Sequence, residues 1–439
     1  MKHKTYLQNS FLIILTFCSI FYARIVATTI RFSLLNLLHF VLVPTVCAIA
    51  LNTTRIRDPQ QIALCYSFLV GLVMLFGVTL ASALLNHAGL INAIASFMML
   101  GEPFMFLLAL TCLPATTKIF MKMKNLLYWS VAINFLLASL QKPLIDAGKL
   151  YAQELNGTDG CGGVFFVSVA GGYVSASVSI VFALYFFTSE RARPLWLRIT
   201  VALAALWQLL FSDSKQLLLA YGIAWLLLIV LTSKDIIKTL KLAIGLILII
   251  FIGIWCATNV DAFKAYTAWA RPELYGANGD AWYAKFYSIH LILDRYQSPL
   301  NLWLGLGPGH TVSRLGGWFI RDYEAILGPL GSTTTSIGQD TADFSASFWL
   351  TGGSTMFSPF WGWIGIWGDL GLLGLGAYVY LGYLTWRHFG WNDIVKVNIL
   401  NVLVLGFIFT QMEEPGYMIF IAFIFGLSYQ ERRLQNRPH

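Results

Sequence analysis

Apolar residues in this chain arrive in long blocks separated by short polar connectors, not in the alternating or one-faced stripes of a water-soluble fold. Twelve such blocks stand near residues 10–23, 33–51, 62–86, 91–113, 126–140, 163–188, 196–211, 217–232, 242–258, 357–385, 397–411 and 416–429. Most approach the roughly 20 residues a helix needs to cross a bilayer. The pattern predicts an all-α polytopic integral membrane protein with about 12 transmembrane helices. Its organisation is a nine-helix membrane region (1–258), a large outer-face loop (259–356) and a three-helix region with a tail (357–439). Only the connector at 259–356 is too long to be a plain link between helices.

Composition agrees. The 439 residues are 57% hydrophobic and 11% charged, whereas soluble domains carry about a quarter charged residues. So few charges cannot coat a soluble globule or sustain disorder. The net charge of +8 would fit nucleic acid until the charges are placed. With the N-terminus inside, 18 of the 29 basic residues fall on inner segments with five acids, leaving the inside at +13 and the outside at about −3. This is the positive-inside asymmetry of a membrane protein with both termini cytoplasmic, and nucleic acid drops out. Arg24 and Arg31 fall on the outer side, against the rule, and a single tilted helix there would reduce the count to eleven. Arginines follow the first apolar block in place of a small-residue cleavage site, so no cleaved signal peptide is expected. Cys161 and Cys256 both fall near outer span ends, where an oxidising compartment would permit a bridge.

Inner connectors are too short for a nucleotide-binding domain. No Gly-rich phosphate loop or Cys/His metal-ligand spacing occurs, so no cofactor or metal is expected. Chemistry is therefore expected at the outer face. In the large loop, Trp282, Phe286, Ile289, Leu293 and Tyr296 recur at helical spacing, an amphipathic helix suited to the interface. Gly305-Leu306-Gly307-Pro308-Gly309 then breaks the chain, and the Ser/Thr/Gly/Asp-rich stretch Gly331–Phe344 reads as a flap. Gly362, Gly365, Gly368, Gly371 and Gly374 step by three through the tenth span, leaving a bare strip for a neighbouring helix.

The outer cations are the candidates for chemistry. Lys215, in the polar hinge Ser212–Gln216, is either an interfacial anchor or a site for an anionic headgroup or pyrophosphate. Lys285 on the amphipathic segment carries the same two readings. Arg295 reads first as a solvated residue and second as a substrate contact. His310 titrates near neutrality and could act as a base. Arg314 and Arg321 could grip phosphate through both guanidinium edges or pair with Asp322 and Glu324. Glu102 and Asp369 lie inside spans, where a carboxylate is costly; each could relay protons or partner an outer cation. Glu413-Glu414-Pro415 reads as a cavity rim. Trp303, Trp318 and Trp361 could stack on sugars or simply sit at the interface.

Three local patterns resemble the O-antigen polymerase/ligase superfamily of bacterial surface polysaccharide assembly. Ser214-Lys215 stands where many members have Ser-Arg in an outer hinge. Lys285 precedes Pro299-Leu300 and Gly305-Leu306-Gly307, where many members have an Arg about fifteen residues before Pro-Leu-x-Gly-x-Gly. Asp369-Leu370-Gly371-Leu372-Leu373-Gly374 matches an acid followed by Gly-x-x-Gly. Both family arginines are lysine here, and the family histidine position falls on Phe360. The resemblance, over roughly residues 200–385, implies a multi-pass protein of the bacterial cytoplasmic (inner) membrane. It implies metal-independent polymerisation of polyprenyl-pyrophosphate-linked glycan in contact with the lipid bilayer, and leaves open whether a chain-length regulator is a partner. Lys215, Lys285 and His310 would be catalytic, with Arg314, Arg321, Arg295 and Asp369 binding substrate or pyrophosphate. Ligase-type transfer to a lipid acceptor and a non-catalytic polysaccharide or lipid transporter are the alternatives.

Overall fold

The computed structural model describes residues 2–54, 58–114, 116–150, 161–166, 171–232, 236–260, 271–276 and 279–436. These residues are helical, without strands. Of the cations expected on the inner side, Arg55, Arg57, Lys234 and Arg437 lie outside them, as does all of the stretch 151–160.

A helix stands at each position where the apolar blocks predict one. In chain order these are α1 (Lys2–Phe21) with α2 (Ala23–Ile30), α3 (His39–Thr53), α4 (Pro59–Leu85), α5 (Leu90–Cys112), α6 (Thr117–Asp146), α7 (Gly171–Ser189), α8 (Leu195–Phe211), α9 (Gln216–Thr232) and α10 (Ile236–Asn259). The long connector contributes α11 (Asp280–Asp294), α12 (Leu300–Leu304) and α13 (Ser336–Ser347). Then come α14 (Gly362–Phe389), α15 (Asp393–Leu405) and α16 (Pro415–Gln435). Six segments are long and apolar enough to cross a membrane: Ser33–Thr53, Pro59–Leu85, Leu90–Cys112, Gly171–Ser189, Thr239–Asn259 and Thr355–Phe389. The pair Asn9–Phe21 and Ala23–Ile30 makes a seventh if taken as one span bent by 64°. The protein is a multi-pass membrane protein.

Local chemistry sets the helix ends. Asp58 caps α4 by accepting the Gln60 N–H at 2.9 Å, with Pro59 in the first turn where its missing N–H costs nothing. The bend after α1 ends at Arg31, in the left-handed region at φ 57°. At the centre α5 packs on α16, and every residue from Pro415 to Ser428 is buried. Phe17, Phe21, Phe420 and Phe423 stack there. By contrast α10 touches mainly α9 and exposes Ile247, Phe251 and Trp255, an apolar surface that fits lipid and not water.

Two readings need revision. The stretch Gly331–Phe344 is not a flap, because Thr335 accepts the Ile337 N–H and starts α13, and Tyr287 stacks on Phe344 at 3.8 Å. Cys161 and Cys256 form no disulfide. The amphipathic segment is a helix as expected, with Trp282 stacked on Phe286 at 5.4 Å.

Candidate functional site

The site begins with a break in α14. Gly371 adopts φ 65°, ψ −165°, which interrupts the helix and strips its neighbours of their usual hydrogen bonds. Inside a membrane span such groups need partners from the protein itself. The loop after α12 supplies them. Leu306 N–H donates to Gly368 O at 2.8 Å, Gly307 N–H to Asp369 O at 3.1 Å, and the Ser82 hydroxyl to the same Asp369 carbonyl at 2.7 Å. Glycine is required on both sides of this contact. Gly305, at φ 71°, lies against the Asp369 backbone, and a Cβ on Gly371 would overlap the Trp303 backbone.

The glycine strip therefore serves a different neighbour from the one expected. A loop approaches it, with Ser313 against Gly365 and Thr311 against Gly368. The Asp369 carboxylate, 2% exposed, holds that loop with four bonds. Oδ2 accepts from Gly309 N–H at 2.7 Å and the Ser313 hydroxyl at 2.6 Å. Oδ1 accepts from Thr311 N–H at 2.9 Å and the Thr311 hydroxyl at 2.6 Å. From α5, Asn92 donates to Pro308 O at 2.8 Å and Thr333 O at 2.7 Å.

Next along the loop, Arg314 starts a π-helical turn, Leu315–Phe319, a local irregularity common at functional sites. Its backbone N–H donates to Glu413 Oε2 at 2.7 Å and its guanidinium pairs with Glu414. Burial, with Arg24 from α2 nearby, lowers the Arg314 pKa to about 10. The Arg314 Nε has no partner. Burial also raises the Glu413 pKa to about 8. Because Oε2 takes the Arg314 N–H, the proton belongs on Oε1, which is unpartnered. A cavity of about 10 Å³ lies there, bordered by Ser96, Ser313, Asp369 and Glu413. It has room for one water.

Lys285 reaches Ile408, at the start of the 408–414 turn that carries Glu413 and Glu414. Its ammonium donates to Met356 O at 3.2 Å, Ser358 O at 3.0 Å and Ile408 O at 2.9 Å, which uses all three donors. Burial pulls its pKa down to about 7, while the three carbonyls favour the charged form. The Trp361 indole donates to Lys285 O at 3.1 Å and is itself 7% exposed, so this tryptophan is a strut. The turn at 408–414 is thus gripped by Lys285 at one end and Arg314 at the other.

The remaining candidates fall elsewhere. His310 donates from Nδ1 to Leu306 O at 2.9 Å, which leaves Nε2 to accept from the Thr333 hydroxyl at 2.8 Å. Burial lowers its pKa, against the opposing pull of Asp369, so the ring is neutral with that tautomer. Lys215 pairs with Asp213, which has φ 49°, in a hinge that Ser212 ties to Cys161 O at 3.2 Å. Arg321 bonds Gln339 Oε1 at 2.5 Å, not Asp322 or Glu324, and Arg295 bonds the Ser336 hydroxyl at 2.7 Å. Both therefore clasp α13. The structure brings Lys285, Arg314 and Asp369 around one loop and turn, with His310 on that loop.

Two features escaped the sequence. The charge of Arg24 acts on Arg314, and its only signal was its place on the wrong side of the charge rule. Glu102 meets His39 Nδ1 at 2.8 and 2.9 Å within the bundle, a pairing that no spacing announces. Among the described residues no three His, Cys, Asp or Glu side chains form a metal-ligating group. No protein-family model matches the chain, and no curated protein matches it.

Proposed function

We propose that this protein polymerises polyprenyl-pyrophosphate-linked oligosaccharide units at the outer face of a bacterial cytoplasmic membrane, crossing it twelve times with both termini inside. One observation carries the reading. Two of the patterns that resemble the polysaccharide polymerases, Gly305-Leu306-Gly307 and Asp369–Gly374, are in direct backbone contact, and the loop seated by this contact carries Arg314, which the positive charge of Arg24 also reaches. A lipid-linked donor keeps its leaving group at headgroup depth. Clustered cations there stabilise the charge that develops as the anomeric C–O bond to pyrophosphate breaks. Arg24 and Arg314 form that cluster, Lys215 faces the donor from its hinge, and Lys285 holds the 408–414 turn in place. The acceptor hydroxyl attacks the anomeric carbon and gives its proton to His310 Nε2, in the place that Thr333 now occupies. Arg321 and Arg295 act through α13, which they fasten over the loop.

A second reading, a glycan or lipid transporter, draws on the broken α14, because interrupted helices form the substrate sites of many transporters. The test is glycan chain length in cells whose only copy carries Lys215→Ala, Arg24→Gln or Lys215→Arg, with protein levels matched. Single repeat units left on the lipid carrier by Lys215→Ala and Arg24→Gln, and long chains with Lys215→Arg, support polymerisation. Normal chains from well-expressed Ala and Gln variants refute it. Lipid-linked repeats then trapped on the inner side would favour the transporter.

A further inference from the structure

The end of the bundle opposite the 305–315 loop holds a second polar feature, which the proposed reaction does not use. A cavity of about 390 Å³ opens between the start of α4, the end of α14 and the end of α16, bordered by Asp58, His388, Trp391, Tyr429, Arg432 and Arg433. That volume lies in the range of small-ligand sites. The two arginines are oriented by aromatic rings. Arg432 Cζ lies 4.7 Å from the Trp391 ring centre, and Arg433 Cζ lies 5.6 Å from that of Tyr429. Arg433 is further fixed by donating to Leu113 O at 3.1 Å. Among the described residues neither arginine makes an ion pair. The one acid on the rim, Asp58, is engaged in capping α4 at Gln60. Two guanidinium groups with fixed planes and no carboxylate partner form a receptor for a tetrahedral, multiply charged oxyanion.

We infer that this pocket binds the phosphate group of an anionic molecule, with the headgroup of an anionic phospholipid as the occupant. Basic pockets between membrane helices take such headgroups, and the stacked rings offer an apolar wall to the glycerol portion. Soluble phosphate is the other source of the same chemistry. The test is native mass spectrometry of the full-length protein, with phosphatidylglycerol or cardiolipin titrated against phosphatidylethanolamine and with inorganic phosphate as competitor. Arg432→Gln/Arg433→Gln should weaken anionic-lipid binding by about tenfold or more, the equivalent of one lost charge-assisted bond. Arg387→Gln, exposed at the same end, should change it by less than about twofold. Since Arg433 also anchors the end of α5, Arg432→Gln alone is measured beside the pair. Displacement of the lipid by inorganic phosphate would support the site and assign it to a soluble phosphate. Equal lipid binding by wild type, Arg432→Gln and the double variant would overturn the inference and leave the arginines as charges that orient the helix.

Discussion

Replacing Asp369 tests whether one carboxylate holds the inserted loop. Asp369→Ala leaves the N–H groups of Gly309 and Thr311 and the hydroxyls of Thr311 and Ser313 without their acceptor, all at buried positions. Hydrogen bonds between membrane helices are worth about 0.6 kcal/mol on average and about 1.7 at most, so four lost bonds cost roughly 2–7 kcal/mol. Asp369→Asn keeps one acceptor oxygen and turns an NH2 toward two donors, so it should lose about half as much. The readout is thermal exposure of thiols in detergent, where Cys47, Cys65 and Cys112 are buried and react only on unfolding. Limited proteolysis across 305–315 runs in parallel. The midpoint should fall in the order wild type, Asn, Ala, with the loop cut fastest in Ala. If Ala melts with wild type and the loop stays resistant, the carboxylate does not seat the loop and the account of the α14 break is wrong.

Gly305→Ala and Gly371→Ala should reduce well-folded yield sharply in fluorescence-detected size exclusion, because each puts a Cβ into facing backbone at positive φ; Gly376→Ala and Gly382→Ala, with open space around them, should not. Glu413 is protonated in the fold up to about pH 8 but only to its ordinary range when unfolded, so its contribution is complete at acid pH and fades as pH rises through about 8. Melting curves from pH 5 to 9 should show that loss in the wild type and a flatter profile in Glu413→Gln. Lys285→Met removes three bonds to the carbonyls of 356, 358 and 408 and should cost about 2–4 kcal/mol by chemical denaturation, an orphaned-acceptor penalty that Lys285→Arg partly avoids.

How far these features were legible depends on what each residue answers to. The helices follow from apolar runs, which act locally, and the helix at Asp280–Asp294 follows from its own spacing. The 305–315 loop is different. Its Gly-rich sequence announces a turn, but its depth is set by Asp369, some sixty residues later, and by Asn92 from α5. Ser, Thr and Asp between 331 and 344 read as a solvated flap because composition does not report that Thr335 caps a helix. Lys285 could be picked out as an outer-face cation on an amphipathic segment, yet its use as a three-carbonyl clamp rests on 408, which no pattern near 285 encodes. Arg24 stood out only as an exception to the charge rule, whereas in the fold its charge reaches Arg314.

The seat of the inserted loop also fixes an order of events during synthesis. The loop leaves the ribosome before any of α14 exists, and the two acids that grip Arg314 come more than a hundred residues after Gly305. Until α16 begins, the Gly305–Leu315 segment has only part of its binding surface, and the break in α14 has the Ser82 hydroxyl as its partner but lacks the bonds from Leu306 and Gly307 for as long as the loop stands aside. Maturation of this face is therefore a closing step that waits for the last helix. A nascent chain stalled before residue 413 should carry its earlier spans already inserted and its 305–315 segment still open to protease.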